Sequence, residues 1–422
     1  MLKPEDNERI TRTGPGTPMG RLWRRYWIPA LLSNEVTEPD GPPVRVRLLN
    51  EDLIAFRDTD GRVGLVSAYC PHRRAPMFFG RNEECGLRCV YHGWKFDVNG
   101  TCVDMPSEPP DSLFKTKVKI EAYPTWEGGG MIWTYMGPPE HQPPTPDYEL
   151  VRAPETHRYV SKTFEECNWL QALEGGLDTS HSSFAHNLDI KNKAYVRNAD
   201  TAPRLEVERK PYGYNYVGIR KVDGKQYVRA YHYVLPAQQM RGRVWGRKGG
   251  IEKVPTINGH IWVPIDDETC WVYNWQYAYD PKIPVSREYA EEHETMYGRG
   301  PGDVIPGTYR LKKNLRNDYM IDRQKQKTQT FTGIEGINTQ DMALQEGMGP
   351  IVDRSKEHLG TSDRAIIAMR QLLMEAMEAM EKGQRIRGVD PADYRDIRAV
   401  DLPIPLDADW HVALKDELVA KF

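Results

Sequence analysis

Two groups of residues in this 422-residue chain could carry metal chemistry. The first is Cys70-Pro71-His72, followed after sixteen residues by Cys89-Val90-Tyr91-His92. Two thiolates and two imidazoles on two loops make four ligands. By ligand count alone they suit tetrahedral Zn²⁺, or a [2Fe–2S] cluster in which two cysteines hold one iron and two histidines the other. The second group is Asp178, His181 and His186, spaced D-x₂-H-x₄-H. Two neutral imidazoles with one carboxylate form the facial set that leaves positions open on ferrous iron. On a regular helix residues five apart stand roughly 140° apart. His181 and His186 can therefore share an ion only if the helix widens or breaks between them. Asp178, three before His181, suits a partner that orients its imidazole. The carboxylate of such a set must come from elsewhere, and Glu335, Asp341, Glu346 and Asp353 all stand in one downstream stretch.

The elements that would position these residues fall into two parts. Short β-branched runs at 44–48 and 53–56, broken by Asn50-Glu51-Asp52 and Asp58-Thr59-Asp60-Gly61, predict an antiparallel β domain. The pattern continues through 94–97, an Asn99-Gly100 hairpin signal and 130–135. Pro138, Pro139, Pro143, Pro144 and Pro146 then crowd together, which puts a domain boundary there and gives domains of 1–145 and 146–422. The second part predicts a helical segment over 164–187, then strands at 214–219, 227–235, 260–264 and 271–279, an α+β arrangement. Ser362 or Asp363 is the expected cap of a late helix whose Ile366, Met369, Leu373, Met377 and Met380 lie at three- and four-residue steps before Gly383. That stripe reads as core packing. There is no internal repeat or low-complexity segment.

Composition narrows the function. The 57 basic and 60 acidic side chains nearly cancel, with no long run of either sign, so nucleic acid is not an expected partner. A charged start with no apolar core, and no stretch apolar enough to span a bilayer, predict a cytoplasmic protein with no membrane partner. Six cysteines are too few for a disulfide scaffold. Cys85 lies four residues before Cys89, but a four-ligand set has no place for a fifth. With Cys102, Cys167 and Cys270 it reads as a small buried side chain.

Cys-Pro-His-Arg followed by Cys-Val-Tyr-His-Gly-Trp (89–94) resembles the signature of Rieske ferredoxins and oxygenases. Gly93 would allow close backbone approach and Trp94 would shield a [2Fe–2S] cluster from water. The stretch 168–178 running into His181 and His186 resembles the catalytic segment of Rieske non-haem iron oxygenase α subunits. The late runs 345–354 and 358–363 resemble the phthalate dioxygenase branch.

The resemblance implies a Rieske β-sandwich domain followed by a helix-grip α+β catalytic domain. It implies a cluster on Cys70, His72, Cys89 and His92, and a mononuclear Fe(II) on His181, His186 and Asp341. Asn168 and Asp178 would be the supporting catalytic residues, with Asp178 linking His181 to a cluster histidine of a neighbouring subunit. The expected activity is O₂-dependent oxidation of an aromatic carboxylic acid, by ring dihydroxylation or O-demethylation. Electrons would come from a separate NAD(P)H-dependent flavin and iron–sulfur reductase, and the assembly would be a homotrimer or stacked trimers. Arg204, Arg241 and Arg243 are the candidates to hold the substrate carboxylate, because a guanidinium fork matches it. The competing readings are a zinc-stabilised binding module and a ferredoxin-like carrier without oxygenase activity. Neither would need the second histidine group.

Overall fold

A computed structural model describes residues 2–192, 195–246 and 249–422. The chain forms two compact units, one spanning Thr13–Thr145, the other Pro146–Phe422 together with the N-terminal segment through Arg12.

The smaller unit holds three antiparallel sheets. Strands β1 (Trp27–Leu32), β2 (Val44–Leu48), β3 (Glu51–Arg57) and β4 (Val63–Ser67) are followed by β5 (Arg81–Glu83), β6 (Gly86–Arg88), β7 (Lys95–Phe96) and β8 (Cys102–Asp104). Strands β9 (Thr125–Gly128) and β10 (Met131–Tyr135) complete the set, and the sheets are ordered β1-β10-β9, β2-β3-β4 and β5-β6-β7-β8. The Asn99-Gly100 signal falls in the β7–β8 loop. There Asp97 Oδ1 accepts from the backbone N–H of Asn99 (3.0 Å) and Thr101 (2.8 Å), and Gly100 takes φ +77°. A Cβ at Gly100 would stand 2.2 Å from the Ile120 carbonyl oxygen, so only glycine fits.

The larger unit is built on an eight-stranded antiparallel sheet. Its strands are β11 (Arg158–Glu165), β12 (Arg204–Lys210), β13 (Gly213–Val222), β14 (Lys225–Val234), β15 (Gln238–Trp245), β16 (Ile251–Pro264), β17 (Cys270–Ala278) and β18 (Val400–Pro405). The order is β11-β17-β16-β15-β14-β13-β12. Strand β14 pairs with β15 over Tyr231–Val234 and with β18 over Lys225–Ala230. The helices that matter for the site are α1 (Pro4–Thr11), α2 (Trp169–Leu177), α3 (Arg287–Met296), α4 (Ile337–Gly347) and α5 (Arg364–Glu381).

Three expectations are corrected here. The segment 164–187 is not one helix. Phe164 and Glu165 finish β11, where they pair with Trp271 and Cys270. The helix then runs only from Trp169 to Leu177. Second, α1 belongs with the larger unit and not with residues 13–145. Its inward face, Asn7, Ile10 and Thr11, is buried, Asn7 Nδ2 donates to the Val352 carbonyl (3.0 Å), and Arg354 Nη1 donates to Asn7 Oδ1 (3.0 Å). Third, Asp363 stands at the N-cap position of α5, one of the two residues expected there, but its side chain makes no capping hydrogen bond to the helix. Asp363 Oδ2 instead accepts from the Gly360 N–H at 2.6 Å, closing the turn before the helix. The expected stripe does face the core, and Gly383, at φ +65°, ends the helix with its N–H on the Met380 carbonyl (3.0 Å).

Helix α2 carries a charge into the interior. Glu174 is buried and accepts from Arg354 Nε (3.0 Å) and Nη2 (2.9 Å) and from Arg370 Nε (2.6 Å). The next two residues are glycines, unfavourable in a helix by about 1 kcal/mol each. Contact explains them: a Cβ on Gly176 would meet the Trp262 ring at 2.0 Å, and one on Gly175 the Gln345 amide at 1.9 Å. The helix is thus clamped by ions on one side and pressed against β16 and α4 on the other. Glu174→Ala leaves the buried Arg354 guanidinium without its carboxylate, while Arg370 keeps Glu357, and should cost roughly 3–5 kcal/mol. Urea unfolding followed by tryptophan fluorescence measures it, and a loss below about 1 kcal/mol, the level of a surface pair, would show that the clamp is dispensable.

Candidate active site

The helix that approaches the first histidine stops in time. Asp178 is the C-cap of α2, residues His181–Ser183 form a short 3₁₀ turn, and His186 follows it. The break between the histidines supplies what a regular helix could not. His181 Nε2 and His186 Nε2 stand 3.0 Å apart, and Asp341 Oδ1, from α4, lies 3.4 Å from the first and 3.2 Å from the second. Cis ligands of an octahedral ion with bonds of roughly 2.1 Å are separated by roughly 3.0 Å. The three donors therefore fit one triangular face of a six-coordinate ion.

His186 is aimed by a hydrogen bond and His181 by a facing carboxylate. The His186 Nδ1–H donates to Gln340 Oε1 (2.9 Å), whose own amide is held by the Ile334 carbonyl (2.8 Å). His181 Nδ1 lies 3.5 Å from Asp178 Oδ2, while Asp178 Oδ1 accepts from the N–H of Ser180 (2.6 Å) and His181 (3.3 Å). Both Nε2 lone pairs thus face the shared point. Burial disfavours charge on all three, yet the Asp178 and Asp341 carboxylates push His181 up to about 10. The two imidazoles hold Asp341 well below the usual carboxylate range despite its burial. Two anionic groups around two imidazoles form an environment built for a cation.

The rival carboxylates are elsewhere. Glu335 is exposed and pairs with Lys313 and Lys325, Asp353 caps a surface turn and pairs with Lys356, and Glu346 is buried against the Tyr319 hydroxyl. Asn168 does not reach this site. Its Oδ1 caps α2 through the Leu170 N–H (3.0 Å), and its Nδ2 donates to the carbonyls of Thr11 (3.1 Å) and Asp267 (2.7 Å). The expected catalytic role gives way to helix capping, because every hydrogen-bonding atom of the amide is already used.

A cavity of about 90 Å³ opens beside the three donors, and a chamber of about 390 Å³ shares Arg197, Arg229, Arg241 and Tyr297 with it. Of the three arginines singled out from sequence, only Arg241 lines both spaces. Its partners are neutral: Asn258 Oδ1 (2.9 Å), Gln239 Oε1 (3.5 Å) and His260 Nε2 (2.8 Å). His260 Nδ1 in turn meets Asn274 Oδ1 (2.8 Å), so the ring is a neutral tautomer that donates to Asn274 and accepts from Arg241. Arg243 faces only the outer chamber, and Arg204 is exposed on β12 and paired with Glu206 (2.7 Å). Arg229 was not anticipated. It is 8% exposed, its Nε has no partner, and its sign of importance, position on a strand next to Tyr231, is not distinctive in sequence.

In the smaller unit the Cys70 and Cys89 sulfurs are buried in a core with Ile54, Phe56, Met77, Leu87, Trp94 and Phe96. His72 and His92 sit half-exposed at the loop tips, ring centroids 4.4 Å apart. Trp94 stacks on His72 (4.3 Å, 13°) and donates from Nε1 to Ser107 Oγ (3.0 Å). Gly93 takes φ +78°, with Pro106 2.7 Å from where a Cβ would stand. A tetrahedral zinc would draw its donors within about 4 Å of one another. Among the described residues, no such closed set forms from these four, whereas His181, His186 and Asp341 do close. Ligands spread over a two-iron cluster account for that spacing. Cys85 lies on the β5–β6 turn at φ +58°, outside this core.

Fold and site together define a Rieske-type oxygenase component. Residues 26–124 match the Rieske [2Fe–2S] domain and residues 134–419 match the LigXa C-terminal domain like family. The phthalate 4,5-dioxygenase oxygenase subunit of Pseudomonas putida is 40% identical over 97% of this chain and 94% of its own length. The 3-chlorobenzoate-3,4-dioxygenase oxygenase subunit of Comamonas testosteroni is 36% identical over 99% of both. The solved structure of Pseudomonas putida CBB5 NdmA with caffeine shares the fold (TM-score 0.63, 17% identity, 92% of this chain and 98% of that one). The chain belongs to the Rieske non-haem iron oxygenases, in the branch of the phthalate dioxygenase oxygenase subunits, and its cofactors are a [2Fe–2S] cluster and mononuclear iron.

Replacing His181, His186 or Asp341 with alanine should each remove the mononuclear iron, about one of three irons per chain, while the Rieske visible spectrum remains. Cys70→Ser should do the reverse, and Cys85→Ser should change neither. Iron analysis with absorbance spectroscopy decides, and iron retained by the Asp341 variant would reopen the choice of carboxylate.

Proposed function

We propose that this oxygenase subunit oxidises an aromatic carboxylic acid, held by Arg241 and Arg229 beside an iron carried on His181, His186 and Asp341. The observation that carries the reading is a pair of guanidiniums, Arg229 buried and Arg241 half-buried, on the wall shared by the inner and outer cavities. Among the described residues neither has a carboxylate within ion-pairing distance, and unpaired buried charge is costly. A substrate carboxylate would supply the missing anion through a charge-assisted bidentate contact. Phthalate and 3-chlorobenzoate, named for the two relatives, are both aromatic acids.

The two iron centres supply one-electron transfer and the activation of O₂. The protein's part is placement. Arg241, itself held by His260 and Asn258, fixes the acid end, and Trp262 and Val272 line the inner cavity where the ring would lie. Gly175 and Gly176 also line the inner cavity, where a side chain on either would collide with Gln345 or Trp262. Cys70, His72, Cys89 and His92 hold the cluster in this reading, with Trp94 covering one imidazole face. Among the described residues no helix is long and apolar enough to cross a membrane. The proposed enzyme is cytoplasmic and is fed by a separate NAD(P)H-dependent reductase.

Arg241→Ala should lower kcat/KM for an aromatic acid by about 1.5–3 kcal/mol, roughly ten- to a hundredfold, mostly through KM. Arg204→Ala should leave it unchanged. Oxygen uptake and product analysis across aromatic acids, with a reductase present, test both. Equal turnover of acids and their neutral amides would sink the carboxylate clamp.

Asp178 is the proposed electron junction within a homotrimer. One of its oxygens faces His181, and its side chain keeps about a quarter of its surface accessible, so a second imidazole, from a neighbouring subunit's cluster, could donate to it. Asp178→Asn should retain both metal centres yet slow cluster oxidation by orders of magnitude in single turnover. A rate equal to the parent's, or an active monomer, excludes the junction.

A further inference from the structure

Asp341 uses its two oxygens differently. Oδ1 is the one nearer to both imidazoles, whereas Oδ2 accepts from Asn338 Nδ2 at 3.1 Å. An asparagine amide could present either its oxygen or its nitrogen, and here the choice is forced from behind. Arg299 Nη1 donates to Asn338 Oδ1, which leaves only the NH₂ group to face Asp341. Arg299 is fixed in its turn. Its Nε and Nη2 make a bidentate pair with Glu294 at 2.8 Å each, both side chains are about 5% exposed, and Glu294 also accepts from Ser161 Oγ at 2.6 Å. Each link has one direction of donation. The row runs from β11 through α3 to α4 and ends on the oxygen that is not among the three converging donors.

We infer that Asn338, oriented by the Arg299–Glu294 ion pair, is a positioning residue that holds Asp341 Oδ2 off the metal, so that Asp341 contributes one oxygen and the remaining coordination positions stay open. The inference rests on the iron-site reading above. A carboxylate free of this restraint can turn and offer both oxygens, because both are bonded to the same carbon. It would then fill a position the reaction needs. No residue on α2 could perform the same task, since Asp178 is committed to His181 and to the backbone of 180–181. The pair also explains why a buried arginine and glutamate with no contact to the cavity floor stand behind α4: the pair keeps the amide from flipping.

The experiment uses nitric oxide as a probe of open positions on the ferrous protein. Asn338→Leu is close in size to the parent and removes both links. Asn338→Ser is the gentler change, with a hydroxyl one atom too short to bridge Arg299 and Asp341. The expected result is that both variants keep the mononuclear iron and the Rieske spectrum, while the affinity for nitric oxide, read from the S = 3/2 nitrosyl signal, falls at least tenfold. A general loosening of the fold would not produce iron retention with loss of that signal. Nitric oxide affinity within threefold of the parent in a folded, iron-loaded variant overturns the proposal. Loss of the iron from both variants also overturns it, since Asn338 would then build the site and not set its open side. A parent protein with iron that gives no nitrosyl signal would overturn the iron-site reading itself, which separates that failure from this one.

Discussion

Two imidazole nitrogens and a carboxylate oxygen cannot be brought within 3.4 Å of one another around one point without support. Their lone pairs repel until a cation sits between them, so the surrounding chain must enforce the arrangement. Much of the larger unit does so. Helix α2 is held by the Glu174 ion cluster and pressed by its two glycines onto Trp262 and Gln345, which sets where the chain emerges at Asp178. Helix α4 brings Asp341 together with the two groups that orient the donors, Gln340 on His186 and Asn338 on Asp341 itself.

The same economy governs the cavity. Its polar wall is made of strand residues from β14, β15 and β16, whose alternation puts Arg229, Arg241, Asn258 and His260 on one side of the sheet. A guanidinium there is kept charged and correctly aimed by neutral partners, so its positive potential is left for a ligand. Buried cations satisfied by acids, as at Glu174, stabilise the fold, whereas buried cations satisfied by amides and a neutral imidazole are available for recognition.

The smaller unit meets a different requirement, keeping two thiols dry while leaving an imidazole edge accessible. Cys70 and Cys89 are part of its core, and His72 and His92 are at its rim. That asymmetry suits electron exchange through the histidine side, because an apolar sheath insulates and an exposed imidazole edge shortens the transfer path.

Several of these features were legible in the amino-acid order. Cys70, His72, Cys89 and His92 lie in short local motifs, and the segment 168–178 that runs into His181 and His186, more than their spacing, marks those two for metal chemistry. Spacing also required the helix to widen or to break between those histidines, and the folded chain takes the break. Strand and helix periodicity marked the longest elements, but not β11 or β15, whose polar residues face a cavity and so break the apolar alternation. What the tertiary structure decided is the choice among groups distant in sequence. Asp341 stands out from Glu335, Glu346 and Asp353 only because α4 packs against α2 and brings its carboxylate to His181 and His186. Arg241 stands apart from Arg204 only because one faces the interior and the other solvent. Arg229, His260 and Asn338 acquire their roles from contacts made across separate strands and helices. Local order encodes ligand type and spacing, but convergence of residues more than 150 positions apart depends on packing, and packing is a property of the whole folded unit.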